Sequence, residues 1–179
     1  MLLDALEREP LGDALLVIVP RHPQRFDAVA QLIAARGLAF VRRTEAGRVG
    51  ADCKIVLGDT MGELAAYYRA CDVAFVGGSL LAYGGQNLIE ACAAGVPVLI
   101  GPYTYNFAQA AVAAIASGAA LRIERAEDVL SRARLLLEDR ATRERMGKAG
   151  IVFCDTHRGA TKRTLALCEQ LLSSTRPGG

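Results

Sequence analysis

The chain has 179 residues, 52% of them hydrophobic and 22% charged, with a net charge of +2. That is enough apolar residue for a well-buried domain of ordinary size and too little charge for a disordered tail. So small a net charge leaves no electrostatic footprint for nucleic acid. The cations are nearly all Arg, with Lys only at Lys54, Lys148 and Lys162. Arg suits phosphate and carboxylate recognition. The cysteines, Cys53, Cys71, Cys92, Cys154 and Cys168, have no pair spaced two or three apart. That spacing excludes a zinc knuckle or a redox pair, and predicts buried free thiols in a reducing compartment. No signal peptide opens the chain and no apolar run reaches membrane-spanning length, which predicts a soluble chain.

In chain order, Ala14 to Val19 reads as a strand and Gln24 to Arg36 as a helix stopped by Gly37. Ala39 to Arg42 is a short strand, Thr44 to Asp52 a polar loop, Lys54 to Leu57 a strand and Gly62 to Cys71 a helix. Val73 to Val76 is a strand, Asn87 to Ala94 a helix, Val96 to Ile100 a strand, Phe107 to Ser117 a helix and Ala120 to Ile123 a last strand. Three helical stretches follow, near Glu127–Glu138, Ala141–Val152 and Gly159–Leu172. The strands are short, continuous and apolar, as strands buried on both faces of a parallel sheet are. Alternation of strand and helix predicts an α/β, Rossmann-like doubly wound parallel sheet with helices on both faces, in one domain spanning residues 1–179.

Ligands of open α/β sheets bind beyond the carboxyl ends of the strands. The residues that follow the strands are Pro20-Arg21-His22-Pro23, Gly58-Asp59-Thr60-Met61-Gly62-Glu63, Gly77-Gly78-Ser79 and Gly101-Pro102-Tyr103-Thr104-Tyr105-Asn106-Phe107. Glycine and polar residues gathered on one edge point to a cleft. Gly84-Gly85-Gln86-Asn87-Leu88-Ile89-Glu90 is the most informative run, because two glycines lead into a helix N-terminus, where free amides and the helix dipole attract phosphate. Asn87 and Glu90, three apart, share a helical face. Phosphate on the amides with Glu90 on ribose hydroxyls would make a nucleotide site. Asn87 with Glu90, and Thr60 with Glu63, also fit capping boxes, so local capping stays open at this point. So does a merely local role for His22 and for Gly77-Gly78. There is no G-x-G-x-x-G after the first strand, no P-loop and no nucleophile elbow, which argues against dehydrogenase, P-loop NTPase and α/β-hydrolase chemistry.

The runs Val19 to Phe26, Gly58 to Leu64, Gly77 to Leu80, Gly84 to Glu90 and Pro97 to Pro102 together resemble the bacterial 3-deoxy-D-manno-octulosonic acid (Kdo) transferases of lipopolysaccharide synthesis. The resemblance extends from about Leu15 to Leu172. It implies the C-terminal half of a GT-B glycosyltransferase, which holds the donor CMP-Kdo for transfer to a lipid A precursor. Carried over by motif, the CMP contacts are Pro20 and Arg21, then Met61, Gly62 and Glu63, then Asn87, Leu88, Ile89 and Glu90. His22, Gly78, Ser79, Gly85 and Gln86 are further cleft candidates. Gln86 and Tyr103 depart from the family pattern, standing at the cleft edge where its members often carry His, and leave the core motif intact. The resemblance places the general base, the acceptor surface and the membrane anchor in an N-terminal domain outside this chain. It therefore implies no catalytic residue here, an inactive chain in isolation, and a full-length enzyme on the cytoplasmic face of the bacterial inner membrane. No cofactor and no metal are expected, since no carboxylate cluster suits one. A UDP-sugar transferase or epimerase of the same architecture, or a non-enzymatic nucleotide-binding module, remains the alternative.

Overall fold

The computed structural model describes residues 1–45, 49–50, 52–157 and 164–170. Its strands are β1 (Leu16–Ile18), β2 (Phe40–Arg42), β3 (Ile55–Leu57), β4 (Ala74–Val76), β5 (Val98–Ile100) and β6 (Ala120–Arg122). Its helices are α1 (Leu2–Arg8), α2 (Phe26–Ala34), α3 (Leu64–Ala70), α4 (Ile89–Ala93), α5 (Ala108–Ala116), α6 (Ala126–Glu138) and α7 (Arg140–His157). Residues 164–170 are also helical, while the rest of the expected final helix lies outside the described residues, as do 46–48 and 51 of the polar loop. The sequence places all six strands correctly, one or two residues too long at their ends. It misses α1, which joins the core through Ala5 and Leu6.

All the pairings are parallel, but the ladders divide. β1 and β2 flank β3 in one three-stranded sheet, and β4 and β6 flank β5 in another. The parallel sheet expected from the strand-helix alternation is present, hydrogen-bonded as two three-stranded ladders. The registers align Leu16, Phe40 and Ile55 in the first and Ala74, Val98 and Ala120 in the second.

Helices do cover both faces of the second sheet. Successive strand residues point to opposite faces. On β5, Val98 and Ile100 enter a core with Leu88, Ala91 and Cys92 near α4, Ala111 and Ala114 of α5, and Phe153 and Cys154 of α7. Leu99 enters a different core, with Val129 and Leu136 of α6 and Met146 of α7. That is why this strand reads as unbroken apolar sequence. A third cluster joins Ile55 of β3 to Ile33 of α2, Ala5 and Leu6 of α1 and Leu130 of α6. α6 therefore packs against both half-sheets, with α1 beside it. α4 and α7 approach closely at Gly147, where a Cβ would overlap the Gly95 carbonyl oxygen. A bulkier residue there would push the helices apart.

Candidate functional site

The parallel strands deliver their following loops to the carboxyl edge of each half-sheet. At the end of β3, Asp59 is buried, and its carboxylate gathers the ends of neighbouring elements. Oδ2 accepts from Arg42 Nε at 2.7 Å and from Thr44 Oγ1 at 2.6 Å, and Oδ1 accepts from the Thr44 amide at 3.0 Å. Arg42 also donates to Asp27, in the first turn of α2, at 2.8 Å. Burial alone would raise the Asp59 carboxyl, but the hydrogen bonds from Thr44 and Arg42 outweigh it and hold it below its ordinary value. No local spacing in the sequence marks this cluster, because its members are far apart in the chain. In the sequence Arg42 reads only as a strand end and Thr44 as the start of a loop.

The loop that Asp59 anchors carries Met61, Gly62 and Glu63. Met61 is well exposed. Glu63 is the residue before α3, and both its oxygens have partners: Arg43 Nη2 at 3.0 Å on Oε1 and the Thr60 hydroxyl on Oε2. The Thr60–Glu63 pair is a side-chain contact, not the reciprocal backbone capping box that the spacing allows.

Beyond β4 the chain doubles back. The Gly85 amide donates to Gly78 O at 2.9 Å and the Gln86 amide to Gly77 O at 3.1 Å. This loop is fastened to the one after β5: Asn106 Nδ2 donates to Tyr83 O at 3.1 Å, the Asn106 amide to Gly84 O at 3.1 Å, and Tyr105 Oη to Ala82 O at 2.6 Å. Gly84 allows the contact, since a Cβ there would overlap Asn106 and Tyr105. Gly85 is accordingly buried, Gln86 half-buried beside Gly78, and Tyr103 exposed. Ser79 corrects the sequence reading. It is fully buried, with its hydroxyl hydrogen-bonded to Val76 O and the Gly101 amide, so it braces strand ends and does not line a cleft.

α4 begins at Ile89, two residues later than the sequence suggests. Asn87 Oδ1 accepts the Ile89 amide at 3.0 Å, and Asn87 Nδ2 donates to Glu90 Oε1 at 3.0 Å. Glu90 does not reach the Asn87 amide as a capping box would. Its second oxygen has no partner among the described residues, and the side chain is exposed. Three amides that the glycine-to-helix junction offered to phosphate, those of Gly85, Gln86 and Ile89, are already hydrogen-bonded. Leu88 is wholly buried and belongs to the core beneath α4. α3 adjoins α4 here. Burial, followed by the nearby charge of Glu90, raises the Tyr68 hydroxyl above its ordinary value.

Past β1, Pro20 is half-buried and Arg21 and His22 are exposed. Arg21 has no ion-pair partner among the described residues. His22 contributes its carbonyl to the turn Pro23–Arg25, accepting the Arg25 amide at 2.9 Å, while its side chain makes no capping bond.

Residues 39–152 match the family of glycosyl transferases group 1. The chain belongs to the group 1 glycosyltransferases. This glycosyltransferase chain is 51% identical over 159 residues to a 3-deoxy-D-manno-octulosonic acid transferase of Bordetella pertussis, and 39% identical over 159 residues to that of Haemophilus influenzae. Those stretches cover 88% of the chain and 37% of each relative, so the chain spans little more than a third of their length. Its fold superposes on the C-terminal CMP-Kdo binding domain of WaaA from Acinetobacter baumannii with a TM-score of 0.79 and 32% identity, covering 85% of this chain and 80% of that one. The fold is that of the C-terminal domain of a GT-B glycosyltransferase. The candidate residues Pro20 to His22, Met61 to Glu63 and Gly78 to Glu90 lie in or beside the loops at the carboxyl ends of β1, β3 and β4, with Ser79 and the Leu88 side chain buried there.

Proposed function

We propose that this glycosyltransferase domain holds the cytidine nucleotide of CMP-Kdo in an enzyme that transfers Kdo to a lipid A precursor. The likeness to the Acinetobacter CMP-Kdo binding domain carries the proposal. The arrangement of Glu90 supports it: Asn87 fixes one carboxylate oxygen and leaves the other open toward solvent, suited to accept hydrogen bonds from ribose hydroxyls. Pro20 with Arg21, Met61 to Glu63 and Asn87 to Glu90 form the nucleotide site. Arg21, a cation without a partner among the described residues, balances the phosphate.

In the transfer, a base removes the proton of an acceptor hydroxyl, that oxygen attacks the anomeric carbon of Kdo, and CMP departs with the bonding electrons. The transition state resembles an oxocarbenium ion. This domain contributes by stabilising the departing phosphate. The base, the acceptor surface and the attachment to the cytoplasmic face of the inner membrane are proposed for parts of the protein outside these 179 residues. Neither a metal nor a cofactor enters this transfer.

A ligand that binds only the folded state raises the melting temperature. Millimolar CMP is expected to raise it more than UMP or GMP does. A larger rise with UMP would favour a UDP-sugar enzyme of the same fold, and no rise with any of the three would overturn the nucleotide site.

A further inference from the structure

We propose that Arg43 is a positioning residue of the nucleotide site, acting through Glu63. The inference rests on the reading of Glu63 as a nucleotide contact and adds a residue from the end of β2, where the sequence carries no motif.

Arg42 and Arg43 are consecutive and serve different partners. Arg42 is committed to Asp59 and Asp27, at 2.7 and 2.8 Å. That grip, with Thr44 on the same Asp59 carboxylate, fixes the backbone on either side of Arg43 to the loop that begins at Asp59. Arg43 then reaches the far end of this loop, placing Nη2 3.0 Å from Glu63 Oε1. Thr60, from within the loop, donates to the other oxygen. Glu63 is thereby held from both sides, and the chain from Asp59 to Glu63 is tied at each end to the end of β2.

Two physical consequences follow for a nucleotide. An oriented carboxylate meets ribose hydroxyls with less ordering to do on binding than a freely rotating one. A bare carboxylate close to a phosphate also repels it, and a guanidinium within hydrogen-bonding distance cancels much of that repulsion. Arg43 is half-exposed, so its role lies in the charge and geometry of Glu63 and not in the core.

The test is a double-mutant cycle on CMP affinity by calorimetry, using Arg43→Ala, Glu63→Ala and the pair, with Arg43→Lys as the conservative variant and melting temperature as the control. We expect Arg43→Ala to weaken CMP binding about fivefold to tenfold, from the loss of a charge-assisted contact, with little change in melting temperature. The double variant should bind no more weakly than the weaker single variant, and Lys should recover part of the loss. Multiplicative effects of the two substitutions would overturn the inference, since Arg43 would then act independently of Glu63. Unchanged affinity in Arg43→Ala beside tight wild-type binding would overturn it too. Should Arg43→Ala fail to fold, Arg43→Lys and Arg43→Gln in the same cycle decide. Absence of CMP binding to the unmodified chain would instead overturn the nucleotide site itself, so the two failures are distinct.

Discussion

Ser79 Oγ accepts the Gly101 amide at 2.8 Å and donates to Val76 O at 2.6 Å, joining the ends of β4 and β5 through one buried hydroxyl. The Tyr103 amide returns to Ser79 O at 2.9 Å. Gly101 permits this approach, because a Cβ on it would overlap the Ser79 backbone. Ser79→Ala leaves the buried Gly101 amide and Val76 carbonyl short of a partner, which costs about 1–3 kcal/mol. The melting temperature should fall by roughly 2–4 °C for each kcal/mol lost. A change of less than a degree in a thermal melt would show that the hydroxyl is not a brace.

Asp59→Asn removes a buried charge from Arg42 and Thr44. Breaking a fully buried pair costs about 3–5 kcal/mol; Arg42 is partly exposed and keeps Asp27, so about 2 kcal/mol is expected. The pH dependence has a definite sign. The folded carboxyl is held below its ordinary value, so its stabilisation is complete above the unfolded value of about 3.9 and fades as pH falls through the folded value. Urea unfolding between pH 6 and pH 3 should therefore show a shallower decline in the Asn variant than in the wild type. The residual slope belongs to the other lowered carboxyls: Asp4, held down to about 2 by the N-terminal amine and Arg36, and Asp128, Asp139 and Glu144, lowered by hydrogen bonds from Arg125, Thr142 and Arg140. Parallel declines would exclude Asp59 as a contributor.

Six strands and the residues beyond them were legible in the sequence because continuous apolar runs followed by glycine and polar residues encode buried parallel strands directly. What bound those loops together was not. The Asp59 carboxylate joins residues 15 to 17 positions away in the chain, Arg42 and Thr44, and no local spacing records that. Ser79 was misplaced for a related reason: a serine after two glycines reads as an exposed turn, and only the position of Gly101 explains its burial. The division into two half-sheets was hidden as well, since strand-helix alternation fixes the hand of each crossover but not whether β1 and β4 share a ladder.

The thiols should separate sharply in reactivity. Burial pushes Cys92 up to about 12, and Cys71 is raised by burial too, whereas Cys168 is exposed. Because the thiolate is the nucleophile, alkylation of the native protein followed by peptide mapping should label Cys168 first and Cys92 last. Early labelling of Cys92 would mean that the α4–α7 core opens readily.

Glu90→Gln should weaken CMP binding by about 1–2 kcal/mol, roughly tenfold, from the loss of a charged acceptor. Stability should scarcely change, because the structural bond of Glu90 is a solvent-exposed one to the Asn87 side chain, and Gln can also accept it. Calorimetry with melts as control measures both. Equal affinity at equal stability would leave Glu90 without a role in binding.

The location of the nucleotide is tested most directly by a titration of the 15N-labelled chain with CMP, followed by amide chemical shifts. Binding at the carboxyl edge of the strands predicts saturable shifts at Arg21, Met61, Gly62, Glu63, Asn87 and Glu90, with little movement along α1 and α6. Shifts confined to α1 and α6, or none at millimolar CMP, would contradict a nucleotide site at this edge.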